Sequence, residues 1–250
     1  MIGEKRIVGV VQARMGSSRL PGKVLMPLAG RPVLWHVVHR LHSLTVFDEI
    51  VVATSIYPQD DGVVDLVERL GIPGVRAFRG SEDDVLERFY LALRDDPPDV
   101  VARVTGDTPL VSTEHLRFLL HRLVDAGLDG VDAHHEYTGL TLGFGSEAYT
   151  YRALVDAHLL SADAAEREHV SLFIKRRPHV FRIEYPKPDP ALCSSLRLTL
   201  DYPDDYQVLR RVYEELYRPG EMVSCKEVLR WLSSRPEVTQ VNEHCRQISA

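Results

Sequence analysis

The sequence predicts an α/β fold built on a doubly wound, mainly parallel sheet. Three observations carry this. Apolar, β-branched runs at Arg6 to Gln12, Ile50 to Ala53 and Asp99 to Val104 alternate with segments of helical period, each run ends in a turn-rich connection, and 250 residues are enough to bury a substantial core. No internal repeat or low-complexity segment divides the chain, so one domain spanning 1–250 is expected, with an insertion at about 130–190 where the rhythm changes.

Taken in order, Arg6 to Gln12 reads as a buried parallel strand because branched apolar residues follow one another without polar alternation. Val33, Leu34, Val37, Val38 and Leu41 then recur at helix spacing after the turn at Leu28 to Pro32. Ile50 to Ala53 is a second strand, and Val63, Val64, Val67 and Leu70 give the following helix its buried face until Gly71 and Pro73 end it. Val75 to Phe78 supplies a third strand. Ser81, followed by Glu82, Asp83 and Asp84, reads as an N-cap and acidic first turn of a helix through Leu93. Asp99 to Val104 is the fourth strand, and Thr113 is the expected cap of a helix through Val124.

Beyond Gly127, Gly130 to His135 reads as a strand and the glycine-rich Thr138 to Tyr149 as a lid or hairpin. Helices are expected at about Tyr151 to Leu160 and Ala164 to Arg176, then a strand at Val180 to Tyr185 and another at Leu196 to Leu200. Asp201 to Asp205 leads into a helix through Tyr217, a further helix covers Ser224 to Ser233, and the last dozen residues lack periodicity.

Composition narrows the function classes. A formal charge of −6 gives no reason to expect nucleic acid or an anionic membrane as partner, so local basic clusters stand out. No apolar run approaches the roughly 20 residues of a membrane span, and M-I-G-E-K-R leads straight into a strand pattern, so a cytoplasmic location is expected. Three widely spaced cysteines without a C-x-x-C pair argue against a disulfide framework or a zinc site. His36, His39 and His42 fall on a polar helical stripe and His134 and His135 lack carboxylates at ligand spacing, so surface or capping roles are expected for them.

The densest chemistry lies at Val10 to Lys23, V-V-Q-A-R-M-G-S-S-R-L-P-G-K. Two glycines, two serines, Arg14, Arg19 and Lys23 share one connection after the first strand, where open α/β sheets bind ligands and where free N–H groups with cations suit a polyphosphate. It matches neither G-x-x-x-x-G-K-[ST] nor G-x-G-x-x-G, which weakens the ATPase and dinucleotide readings. Asp107 and Asp201 each follow an apolar run and stand shortly before a proline. Taken singly, such an aspartate is usually a turn former or a cap; with the cationic loop, the two make a candidate Mg²⁺ site.

A-R-M-G-S-S-R-L-P-G-K and T-G-D-T-P-L, with I-V-V-A-T at 50–54, D-V-L-E-R-F at 84–89, R-E-H-V at 167–170 and L-T-L-D-Y-P-D-D-Y at 198–206, resemble the cytidylyltransferases that activate acidic sugars. The likeness is to the spore coat polysaccharide SpsF-like group, related to CMP-Kdo and CMP-sialic acid synthetases, and it covers nearly the whole chain. It implies a sheet of the nucleotide-diphospho-sugar transferase type, a dimerisation and acceptor subregion in the insertion, a homodimer, and transfer of CMP from CTP to an anionic acceptor with release of pyrophosphate. It implies catalytic Arg14, Lys23, Asp107 and Asp201, with Mg²⁺ on the two aspartates, and a nucleotide site of Gln12, Ala13, Arg14, Gly16, Ser17, Lys23, Arg88, Thr105 and Asp107. Arg103, Gly143, Glu147, Glu168 and His169 would face the acceptor, with Glu147 and His169 the candidate bases. Where Kdo enzymes read Q-G-D-E-P this chain has Thr105 in place of the glutamine, which leaves the sugar open. A glycosyltransferase of the same fold would place its metal on D-x-D, and Pro109 stands where the second acid would be; a non-catalytic nucleotide binder is the remaining alternative.

Overall fold

The computed structural model describes residues 2–247. The branched side chains of the first strand, β1 (Ile7–Gln12), divide between its two faces, so that Ile7 and Val11 enter one apolar layer while Val8 and Val10 enter another, all fully buried. A strand covered on both faces must be apolar, and this one is from Ile7 to Val11, with Gln12 only where it reaches the sheet edge. A two-stranded ribbon, β2 (Pro27–Leu28) with β3 (Arg31–Pro32), leads into α1 (Val33–Ser43). Then come β4 (Glu49–Ser55), α2 (Asp61–Leu70), β5 (Val75–Gly80), α3 (Val85–Leu93), β6 (Val100–Thr105) and α4 (Thr113–Asp125). The caps lie close to the expected positions but not on them: Asp84 caps α3 through the Glu87 N–H at 2.8 Å, and Ser112 caps α4 through the His115 N–H.

The stretch 130–190 extends the same sheet. It contributes β7 (Gly130–Asp132), the short helix α5 (His135–Thr138), β8 (Glu147–Thr150), α6 (Tyr151–Leu160), α7 (Ala164–Glu168), α8 (Leu172–Lys175) and β9 (Ile183–Glu184). The seven strands run in the order β5-β4-β1-β6-β8-β7-β9, parallel from β5 to β6, with β8 antiparallel to both β6 and β7. The helix expected across Ala164 to Arg176 is two helices, because His169 leaves helical geometry at φ −102°, ψ 47°. Leu196 to Leu200, expected as a strand, is an extended segment joined to the rest by an isolated bridge, Leu142 to Arg197. The chain ends in α9 (Pro203–Leu216), α10 (Cys225–Leu232), α11 (Pro236–Thr239) and a 3-10 turn at Gln240–Asn242.

The sheet therefore lies between two apolar layers, one from α1, α4, α9 and α10, the other from α3, α6 and α8. Because β1, β4 and β6 are parallel and in register, with Gln12 opposite Ala53 and Thr105, their carboxyl ends form one edge. The antiparallel β8 begins at that edge, with Glu147 opposite Arg103 and Asp132. Among the described residues no helix is long and apolar enough to cross a membrane.

His36 is not a surface residue. It is 4% exposed, bonded through Nε2 to the Leu28 carbonyl, and desolvation pushes its pKa down to about 4. His115 is buried as well, and burial also brings it down to about 4. Both stay neutral in the folded chain, whereas in the unfolded chain they protonate near 6.5. As pH falls from 6.5 toward 4 the unfolded chain takes up protons that the folded chain refuses, so stability falls, by roughly 3 kcal/mol per histidine at the lower end. The thermal midpoint should drop steadily from pH 7 to pH 4.5, less steeply in His115→Leu; a flat midpoint over that range would contradict the assignment.

Candidate active site

The sheet edge opens into a cleft of about 740 Å³ that brings together fourteen of the fifteen expected site residues: Gln12, Ala13, Arg14, Gly16, Ser17 and Lys23 on one side, joined there by Ser18 and Arg19, then Arg103, Gly143, Glu147, Glu168 and His169 on the other, with Thr105, Asp107 and Asp201 between.

 The fifteenth, Arg88, is not among the residues that line it. It is fully buried on α3, donates to the Ser81 carbonyl, and burial lowers its pKa to about 10. The resemblance places this arginine at the nucleotide; in the structure the base of its side chain packs against Gly80, and its Nε and Nη2 meet no acceptor among the described residues.

The first loop keeps its shape through contacts that the sequence did not reveal. Asp60, wholly buried, accepts from the N–H groups of Met15 at 2.7 Å and Ser55 at 3.0 Å, and these bonds hold its carboxyl below the usual range even though burial alone would raise it. The Ala13 N–H bonds to the Ala53 carbonyl, and the Gly106 N–H bonds to the Gln12 carbonyl. A Cβ at Gly106 would stand 2.9 Å from that of Ala13, so only glycine lets the two loops approach this closely. Among the described residues, the N–H groups of Arg14, Gly16, Ser18 and Arg19 donate to no protein acceptor. Arg14 pairs only with Glu82, at 3.2 Å, and its side chain is 38% exposed.

Lys23 is the hinge of the charge arrangement. Its ammonium bridges Asp107 and Asp201, the latter at 2.9 Å. Burial works against its charge, but the two carboxylates outweigh that and raise its pKa. Asp201 also accepts from Arg19 at 2.8 Å and from Arg197 at 2.8 Å. Burial would push its carboxyl up, yet Lys23, Arg19 and Arg197 hold it below the ordinary carboxylate range. Arg197 in turn binds Asp205, which caps the start of α9 by accepting from the N–H groups of Asp201 and Tyr202. Neither Arg197 nor Asp205 stood out in the sequence. A strand-end acid before a proline is a visible pattern, whereas its supporting partners become neighbours only on folding.

The opposite wall is built from paired charges. Glu147 accepts from Lys175 at 2.9 Å, Arg103 at 3.1 Å and the Tyr149 hydroxyl at 2.9 Å. Burial opposes its ionisation, but Lys175 and Arg103 keep the carboxyl well below its usual range. These partners hold it as an anion in the cleft wall. Asp132, absent from the sequence-derived set, lines the cleft 2.7 Å from Lys175, and burial together with Glu147 raises it to about 6. Arg103 is engaged by Glu147 and by Gln12 Oε1, so it meets the cleft as part of an ion pair. His169 lines the cleft beside Glu168, and burial lowers its pKa, which leaves a neutral imidazole.

With this geometry in view, three comparisons bear on it. A family model described as cytidylyltransferase matches residues 8–231. The spore coat polysaccharide biosynthesis protein SpsF of Bacillus subtilis is 34% identical over 95% of this chain and 98% of its own length. Among solved structures, a cytidylyltransferase from Leptospira borgpetersenii superposes with a TM-score of 0.86 at 24% identity over 99% of this chain and 100% of that one. A CMP:2-keto-3-deoxy-manno-octonic acid synthetase complexed with CTP superposes with a TM-score of 0.66 at 20% identity, over 84% of this chain and 99% of that one. At these identities the two structures establish the shared fold.

Proposed function

The chain belongs to the cytidylyltransferase family, and from that premise we propose that it transfers CMP from CTP to an anionic, sugar-like acceptor, releasing pyrophosphate, with Mg²⁺ as cofactor. The observation that carries this reading is the Lys23 ammonium bridging Asp107 and Asp201 beside a loop in which the N–H groups of Arg14, Gly16, Ser18 and Arg19 meet no acceptor among the described residues. The carboxylates of Asp107 and Asp201 converge on one cation, and hard carboxylate oxygens are the donors that Mg²⁺ selects, so these two residues fit the metal and would hold it. When bound, it would supply positive charge to the phosphate oxygens.

The chain's own groups do the rest. The free N–H groups of Arg14, Gly16, Ser18 and Arg19 cradle the triphosphate, and the Arg14 and Lys23 cations lie against the charge that builds up as the α-phosphorus is attacked. An acceptor oxygen forms the new bond to that phosphorus while the bond to pyrophosphate breaks, and holding the two reactants in line is the main catalytic contribution. His169, neutral and facing the cleft, takes the acceptor's proton. An acidic acceptor is favoured by two buried guanidinium N–H groups of cleft residues that lack a protein acceptor, Arg19 Nη1 and Arg103 Nε. The named substrate of the octonic acid synthetase points to the same class.

Pyrophosphate release, measured with each of the four nucleoside triphosphates, Mg²⁺ and a panel of 2-keto-3-deoxy sugar acids, should show turnover with CTP and at least one acid. No turnover with any pair, or release of nucleoside diphosphate from a nucleotide sugar, would count against the reading.

A further inference from the structure

The last stretch of the chain, without periodicity in the sequence and beyond the residues that the family model matches, folds back onto the support of Asp201. Asn242, 3% exposed in the final 3-10 turn, donates through Nδ2 to Asp205 Oδ1 at 2.8 Å and to the Arg197 carbonyl at 2.9 Å. Gln247 accepts from Arg197 Nη1 at 2.9 Å and itself lines the cleft. The Tyr202 hydroxyl adds a bond to the Arg246 carbonyl.

Every nitrogen of the Arg197 guanidinium is therefore engaged: Nε with Asp205, Nη1 with Gln247, and Nη2 with Asp201 at 2.8 Å and Asp205 at 3.2 Å. Asp205 is equally committed, with Oδ2 on the backbone N–H groups of Asp201 and Tyr202, Oδ1 on Asn242, and Arg197 donating to both oxygens. A planar guanidinium with every edge occupied has one orientation, and so does the carboxylate it presents. Arg197, Asp205 and Asp201 each lie at most 8% exposed, so water cannot readily replace a lost partner.

We propose that the C-terminal segment is a positioning element of the active site, with Asn242 and Gln247 fixing Arg197 and Asp205 so that the Asp201 carboxylate is held toward Lys23. The proposal rests on the cytidylyl-transfer reading only for its kinetic arm. Asn242 and Gln247 touch no reacting atom; they act through Arg197 and Asp205 on a carboxylate that does its work when charge develops at the α-phosphate.

The test compares Asn242→Ala with Leu232→Ala, a buried apolar truncation in α10 outside this network. Assays run well below both thermal midpoints. In Asn242→Ala, kcat should fall about tenfold or more while KM for CTP stays within about twofold, a pattern expected of an interaction made in the transition state. Leu232→Ala should lower the thermal midpoint and leave kcat within about twofold. A crystal structure of Asn242→Ala should show Arg197 turned and its 2.8 Å contact with Asp201 broken. An unchanged kcat in Asn242→Ala, an equal loss in Leu232→Ala, or an Arg197–Asp201 pair undisturbed in the crystal would overturn the proposal. The crystallographic arm decides even if wild-type protein turns over no CTP, a result that would instead dispose of the cytidylyl-transfer reading.

Discussion

Asp107→Asn should lower kcat by about 10³-fold, near 4 kcal/mol of transition-state stabilisation, while CTP affinity changes only severalfold. Asparagine keeps the shape and an oxygen but removes the charge, and that charge is one of two facing the Lys23 ammonium and the proposed Mg²⁺. The loss appears in kcat because negative charge on the phosphate oxygens grows between bound CTP and the transition state, and neutralising it there is where the site acts. Asp107 is also the cleaner probe of the two carboxylates. Its side chain is 21% exposed and, among the described residues, ion-paired only with Lys23, so its replacement should leave the fold intact. Asp201 is 7% exposed and is the shared counter-ion of Lys23, Arg19 and Arg197; Asp201→Asn removes that buried counter-charge from three clustered cations and should also cost about 3–5 kcal/mol of stability. Pyrophosphate release and CTP titration by calorimetry, run on both variants with urea unfolding, separate the effects. Equal losses of kcat and CTP affinity in Asp107→Asn would remove Asp107 from the reacting centre.

The contrast between these two aspartates shows what the sequence could and could not convey. Both were legible because an acid at the end of an apolar run, shortly before a proline, is a local pattern, and parallel strands carry such ends to one edge. The first loop was legible for the same reason: its glycines, serines and cations are contiguous. The supports were not. Asp60 reaches back 45 residues to Met15, and Arg40, in the same helix as the histidines of the polar stripe, is buried and bonded to the Val111 and Val223 carbonyls. Asp132 lay inside a segment read correctly as a strand, but its place on the cleft wall depends on β8 coming between β6 and β7, a pairing of strands only three and four residues long. Periodicity reports which face of a strand is apolar; it carries no information about a strand's neighbours. Leu196 to Leu200 has the alternation of an edge strand, yet the connection at Gly143 holds it clear of the sheet as an extended segment.

That glycine yields the second large expectation. Gly143→Ala should destabilise the fold by about 4 kcal/mol or more, or abolish soluble expression, through two separate causes. Its φ is +102°, where a side chain is strained, and an added Cβ would stand 2.3 Å from the Leu198 carbonyl carbon and oxygen and 2.6 Å from the Thr199 nitrogen. Those atoms are backbone and cannot swing aside as a side-chain tip could. The Leu198 N–H is bonded to the Leu142 carbonyl at 2.8 Å, so relieving the overlap means breaking the connection that holds the 196–201 segment in place. The same segment carries Arg197 and Asp201, so whatever protein does fold should also lose kcat. Gly220→Ala separates the two causes, since its φ is +85° but an added Cβ would meet nothing within 4 Å; it should cost only about 1 kcal/mol, from backbone strain alone. Urea unfolding of the pair checks this, and a Gly143→Ala protein as stable as Gly220→Ala would mean that the 196–201 segment can shift without loss, leaving Asp201 held by its ion pairs rather than by the fold around Gly143.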